Sequence, residues 1–333
     1  MNTQPENSTF VPFIRTILGD IAPAKLGMCY AHEHIIIDES YPTEKNPDFL
    51  LNSVAQCVVE LRAFHQAGGR AMVDSMPADA GRNALQLAEV SRQSGVHILC
   101  PTGLHLAKYY PQGHWSGRLP ATDLAQIFIA DINEGIDAND YGGPYIRRTN
   151  YKAGVIKIAG SRDKLTDLDL KIFTAAAQAH RATGCPILTH TEQGTAALEQ
   201  VQRLADLGVD LRHVCLSHTD RCPDIAYHRR ILASPVRIEF DSAFRWKPGE
   251  PNHTLELITA LLPEFPDQIM LGMDAARRTY WKAYGGAPGL SFLLDTFAPR
   301  LRSVGISQIL LDKVFITTPA DCYQFIPPRT GLQ

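Results

Sequence analysis

Two histidines one residue apart, His32 and His34, open the apolar run Ile35-Ile36-Ile37. Side chains alternate faces along a strand, so both imidazoles project to one side and Glu33 to the other. Two imidazoles on one face of a stiff strand are a ready pair of metal ligands. A half-buried strand whose histidines bond to backbone is the plain alternative. Later residues weigh against it: Lys157, His190, His218 and Asp274 each close an apolar run, in chain order. One divalent ion takes about three or four such groups, so six point to two ions sharing a bridging group and a hydroxide. Lysine is the odd member, because a protonated amine repels metals. Carboxylated by carbon dioxide, it becomes a carbamate whose two oxygens can bridge two ions.

The elements that must position these groups alternate with a steady rhythm. Strands are predicted at Ala31 to Ile37, Ala71 to Asp74, His97 to Gly103, Gly154 to Ile158, Pro186 to His190, His213 to His218, Val236 to Asp241 and Gln268 to Asp274. Helical spacing follows each one, as in Leu50, Val54, Cys57, Val58, Leu61 and Phe64, ended by Gly68-Gly69. Eight strand–helix pairs predict an α/β chain folded as a closed (β/α)8 barrel over residues 28–325. Residues 1–27 form an N-terminal extension, read as a short hairpin or lid, and the whole chain of 333 residues is expected to be one domain. No Gly-x-Gly-x-x-Gly follows the first strand, which argues against a dinucleotide fold. In a barrel of this kind the C-terminal strand ends meet at one rim, where all six groups would converge.

Bulk properties narrow the partners. Net charge is −3 with no basic block, so neither nucleic acid nor an anionic membrane surface is expected as a partner. No apolar run approaches the roughly 18 residues that a membrane helix needs, and Met1 to Ser8 is polar, without the pattern of a secretion signal. The seven cysteines are odd in number and scattered, which reads as reduced thiols in a cytoplasmic protein.

The order His-x-His, Lys, His, His, Asp on successive strands resembles the amidohydrolase superfamily and, within it, the phosphotriesterase family. The resemblance runs along nearly the whole chain: Leu18-Gly19-Asp20-Ile21, Leu26-Gly27, Ala31-His32-Glu33-His34, Asp79-Ala80-Gly81-Arg82-Asn83, Thr102-Gly103, Ile156-Lys157-Ile158, Thr189-His190-Thr191, Ser217-His218-Thr219-Asp220 and Gly272-Met273-Asp274. It implies a binuclear site, usually holding zinc, with manganese or cobalt as other candidates. His32, His34 and Asp274 would hold the buried ion, His190 and His218 the exposed one, and carboxylated Lys157 and a hydroxide would bridge them. The implied reaction is attack by that hydroxide on an ester, lactone or phosphoryl centre, with Asp274 as general base and then acid. A homodimer is also implied.

The substrate must be read from the loops. Arg277, Arg278 and Lys282 follow strand eight, and Arg245 and Lys247 follow strand seven. Clustered guanidinium and ammonium groups suit a phosphate or carboxylate; surface charges paired with Glu250 and Asp241 are the alternative. His105, Tyr109 and Tyr110 follow strand three and could hydrogen-bond a carbonyl or simply pack. Arg82 reads as structural, pinning the loop after strand two. The cations suit an anionic substrate, and the resemblance, to a family with lactonases of phosphorylated sugars, implies a phosphorylated or otherwise anionic sugar lactone as the small-molecule substrate. An N-acyl homoserine lactone, a phosphotriester or an aryl ester are alternatives within the family, and a non-catalytic metal-containing binding module lies outside it.

Overall fold

In the computed structural model, residues 10–247 and 249–329 are described. Met1 to Ser8, read above as lacking a secretion signal, and Pro248 of the loop after strand seven lie outside them. The chain opens with an antiparallel hairpin, β1 (Ile14–Thr16) and β2 (Gly19–Ile21). β3 (Cys29–Glu33) follows, then α1 (Tyr41–Lys45), α2 (Val54–Gln66), β4 (Ala71–Asp74), α3 (Ala84–Ser94), β5 (His97–Leu99) and β6 (Pro101–Gly103). The middle of the chain holds α4 (Trp115–Arg118), α5 (Ala121–Asn133), β7 (Val155–Gly160), α6 (Asp167–Thr183), β8 (Ile187–Thr191) and α7 (Ala197–Asp206). β9 (Val214–Ser217), α8 (Ile225–Leu232), β10 (Arg237–Phe240), α9 (His253–Leu261) and β11 (Ile269–Leu271) complete the alternation. The short helices α10 (Ala298–Ser303), α11 (Gln308–Asp312) and α12 (Thr318–Tyr323) close the chain.

β3-β4-β5 and β6 through β11 pair in parallel in chain order. β5 and β6 are two pieces of one strand interrupted at Cys100, so the third predicted strand is split. Met273 and Asp274 amides reach the His32 carbonyl at 3.3 Å, which brings the end of β11 beside β3. The result is the predicted barrel. Helix ends carry their expected chemistry: Asn83 caps α3, Thr166 and Asp169 form a capping box on α6, and Gly95 and Gly184 end those helices in the left-handed region.

Period-two alternation divides the core. Ala31, Val73, Leu99, Val155, Leu188, Cys215 and Met270 fill the barrel interior, whereas Tyr30, Met72, Ile98, Ile156, Ile187, Leu216 and Ile269 belong to the layer shared with the helices. The interior set predicts which residues point inward at the C-terminal ends: two positions on from Val155 and Leu188 are Lys157 and His190. The first strand departs from this rule. The β3–β4 register shifts between Tyr30 and Glu33, and that irregularity rephases the strand so that His32 and His34 turn towards the site. Only glycine fits at Gly103, where φ is +104° and a Cβ would stand 1.9 Å from the Lys157 carbonyl oxygen.

The hairpin is not a lid. Its Ile17 amide bonds the Ile98 carbonyl, and its Ile14 joins the interior cluster, so it covers the N-terminal strand ends. Phe13 stacks on Phe325 with ring centroids 4.6 Å apart, and the Phe325 amide donates to the Phe13 carbonyl. No helix among the described residues is long and apolar enough to cross a membrane.

Candidate active site

Each ligand-type residue sits at or just beyond the C-terminal end of its strand: His32 and His34 at β3, Lys157 on β7, His190 on β8, His218 after β9 and Asp274 after β11. The five histidine and lysine side chains are buried. His34 Nε2 lies 3.1 Å and His32 Nε2 3.5 Å from Asp274 Oδ1. The His218 ring is 4.6 Å from that of His32 and 4.5 Å from that of His190, centroid to centroid. His32, His34 and Asp274 each bring a ligand atom within 4.8 Å of the others, as do His32, His218, Glu239 and Asp241.

Neighbours fix one ring nitrogen of three histidines and leave the other. Ser217 Oγ is 2.8 Å from His32 Nδ1, Glu192 Oε2 is 2.8 Å from His190 Nε2, and Asp241 Oδ2 bonds His218 Nδ1. Metal-binding histidines are normally held this way, the second nitrogen anchored so that the first is aimed. Three buried nitrogens, His32 Nε2, His34 Nδ1 and Lys157 Nζ, have no hydrogen-bond partner. Orphaned buried polar atoms are costly, and a cation is the partner that fits the neutral His32 imidazole at Nε2.

Electrostatics keep these groups in a ligating form. Burial, then the Lys157 charge, lowers His32 well below the usual imidazole range. Burial and Arg221 do the same for His218, and burial brings His190 down to about 4. Neutral imidazole is the ligating species. Burial also lowers Lys157 to about 8, which makes its neutral amine easier to reach than that of an exposed lysine. Burial alone would raise Asp274, but His218, His32, His34 and Arg221 hold it well below the carboxylate range. Backbone is strained at the same place: His218 (φ 64°) and Asp274 (φ 48°) both occupy the left-handed region.

Residues 12–323 match the profile of the Phosphotriesterase family. The chain belongs to the phosphotriesterase family. It is 33% identical over 328 residues to a phospho-furanose lactonase of Mycoplasmopsis agalactiae, covering 95% of this chain and 93% of that one. Among solved structures, an amidohydrolase from Mycoplasma synoviae superposes with a TM-score of 0.93 at 32% identity, covering 96% of this chain and 94% of that one. A lactonase from Listeria monocytogenes superposes at 0.87 with 30% identity, covering 95% and 100%. Enzymes of the phosphotriesterase family are binuclear metal hydrolases, and the buried His/Asp cluster is the matching candidate site here.

A cavity of about 180 Å³ opens above the cluster. Of the loop residues expected around it, Arg245, Arg277, His105 and Tyr109 line it. Arg245 donates to the Asp274 carbonyl (2.7 Å) and to its Oδ2 (3.0 Å). Arg277 lies over the Phe49 ring and 3.5 Å from Asp48. The other cations are elsewhere. Arg278 donates to the Leu50 carbonyl and stacks on Tyr284. The Lys282 stem packs against the Gly289 turn, and Lys247 borders a separate groove with Phe292 and Arg300. A loop cation takes the nearest carbonyl or ring, and chain position alone does not specify which. Tyr110 is spent on structure, its hydroxyl accepting from the His105 amide and donating to the Ala78 carbonyl. Arg82 is structural, as expected, pairing with Asp131 and Asp140.

Three residues at the site were not read from the sequence. Arg221 reaches Asp274 Oδ2 at 2.6 Å and Asp241 Oδ1 at 3.1 Å; it directly follows the Ser217–Asp220 motif. Glu192 follows Thr191 and links His190 to Lys108 at 2.9 Å. Glu239 is fully buried with neither oxygen bonded, and burial beside Asp241 raises it. A lone acid inside the apolar run Ile238-Glu239-Phe240 was the available signal.

Proposed function

We propose that this member of the phosphotriesterase family is a binuclear metal-dependent lactonase acting on a phosphorylated or otherwise anionic sugar lactone. One observation carries the reading: buried, unpartnered ligand atoms at the strand ends lie directly under a cavity lined by arginines. The M. agalactiae phospho-furanose lactonase adds support for the anionic substrate.

His32, His34 and Asp274 would hold one divalent ion, His190 and His218 the other, with Lys157 as a bridging carbamate. The carbamate forms by bonding the neutral Lys157 amine to the carbon of carbon dioxide with loss of one proton. When bound, the ions supply Lewis acidity and a water that is nucleophilic at neutral pH; zinc is the expected metal. Asp274 accepts the proton of the attacking water as that oxygen bonds the lactone carbonyl carbon. It then returns the proton to the ring oxygen as the C–O bond breaks, giving a hydroxy acid. Arg221 and Arg245 hold Oδ2, which leaves Oδ1 beside His32 and His34. Arg277 takes the anionic group, while Tyr109 and His105 contact the sugar. Ile37, Phe49 and Met76 give the cavity an apolar wall, and its small volume disfavours a long acyl chain.

The test is elemental analysis together with turnover of pentono-1,4-lactones with and without a phosphate, followed by acid release. About two metals per chain and a strong preference for the phosphorylated lactone are expected. Two metals with turnover only of acyl homoserine lactones or phosphotriesters would retain the mechanism and reject the substrate. Light scattering after gel filtration tests the proposed homodimer.

A further inference from the structure

The turn after β9 carries more than His218. His218 leaves the strand in the left-handed region and is followed by a 3-10 turn, Thr219–Arg221. Asp220 fastens that turn: its Oδ2 accepts from the Ser242 amide (2.9 Å) and from Thr254 Oγ1 (2.6 Å). Arg221 therefore starts from a backbone already fixed against the end of β10 and α9. Its Nη2 reaches Asp241 Oδ1 and Asp274 Oδ2 together. Asp241 is fully buried and spends its other oxygen on His218 Nδ1. One guanidinium thus links, through one carboxylate, a histidine aimed at the cluster and, through a second, the carboxylate beside His32 and His34.

We infer that Arg221 is a positioning residue that sets Asp274 and His218 as one unit, fixing the carboxylate's orientation through Oδ2 and the imidazole's through Asp241. The inference rests on the hydrolase reading above, and it assigns Arg221 to the machinery and not to recognition of the substrate's anionic group. Arginine suits the task because both bonds leave Nη2 within one rigid guanidinium plane that fixes their directions, which a freely rotating lysine ammonium does not. Planar donation to two carboxylates on different strand ends also resists drift of either one.

Two roles are open to a cation lining this cavity, and they separate in kinetics. A positioning residue acts on every substrate alike, mainly through kcat, and on metal retention. An anion-binding residue acts through KM, and only on phosphorylated lactones. For Arg221→Ala we expect kcat to fall about 10–100-fold on phosphorylated and plain lactones equally, the usual cost of removing a residue that orients a metal ligand. We also expect metal to be lost to a chelator faster than from the unaltered protein, measured by absorbance of a chelator dye with no substrate present. Arg221→Lys should recover part of both losses, and added guanidinium ion should recover part of kcat in Arg221→Ala.

Unchanged kcat and unchanged metal release, or a rise in KM confined to phosphorylated lactones, would overturn the inference. Should Arg221→Ala fail to fold by circular dichroism, the same readouts on Arg221→Lys decide. If the unaltered protein turns over no lactone, the substrate reading fails by itself, and the dye measurement still decides on Arg221.

Discussion

The chain buries two networks of arginine and carboxylate, and they differ in what they leave undone. Outside the barrel wall, Arg82 donates to Asp131 (2.9 Å), to the Pro101 carbonyl (2.7 Å) and to Asp140 (2.8 Å). Asp131 in turn accepts from Thr102 (2.8 Å), Tyr141 (2.5 Å) and Arg148 (2.7 Å). Both Asp131 oxygens are taken, and the network joins the loop after β4, α5 and the excursion through Tyr141 and Arg148. At the strand ends, Asp274 is tied just as firmly by Arg221 and Arg245, yet His32 Nε2, His34 Nδ1, Lys157 Nζ and both Glu239 oxygens have no partner. A network whose carboxylate oxygens are all paired is a structural joint, and its worth is measured in stability. An unsaturated one held by strained backbone is built for a visitor.

That contrast can be broken from either side. Asp274→Asn should lower turnover most, by about 10²–10⁴-fold as expected for loss of a general acid–base group. Its melting temperature should change far less than its activity. Arg82→Ala should do the reverse, costing about 3–5 kcal/mol in urea unfolding because Asp140 loses its cation and buried Asp131 keeps only Arg148. The folded fraction should keep its specific activity.

The rim repeats the contrast on a smaller scale. Arg277→Ala should raise KM for a phosphorylated lactone by roughly 10–100-fold, the worth of a charge-assisted hydrogen bond, with little change on a plain lactone. Arg278→Ala should instead lose about 1–2 kcal/mol of stability through its bond to the Leu50 carbonyl and its contact with Tyr284. Equal effects of the two on KM would erase the distinction drawn between neighbouring arginines.

The smallest effect belongs to a partly exposed pair. The Arg212 guanidinium holds Asp210 down to about 2 from 3.8. A depressed carboxyl stabilises the fold above its unfolded value and loses that contribution as pH falls through its folded value. Asp210→Ala should therefore cost up to about 1 kcal/mol at neutral pH after solvent screening. Urea titrations at successive pH values should show the difference closing as pH drops from 3.8 towards 2.

The same physics explains what could be read ahead of the structure. The barrel followed from strict strand–helix alternation, and the six ligand-type residues from their places at strand ends, because period two and parallel topology leave a strand-end side chain few directions. The rephasing of β3 was invisible, since it depends on pairing with β4. Rim cations were not legible either. Arg245 and Arg277 face the cavity while Arg278, Lys247 and Lys282 do not, and the choice lies with distant groups such as Leu50, Tyr284 and Gly289. Arg221 and Glu192 were missed for a related reason: a residue that serves a ligand carries no spacing rule of its own.

The seam between Phe13 and Phe325 lies with the hairpin on the strand-start end of the barrel, away from the mouth. Anything anchored to exposed residues at that end, whether a solid support, a label or a fused module, would leave the cavity facing outward. Oriented immobilisation from that end would require no change to the loops around the cavity.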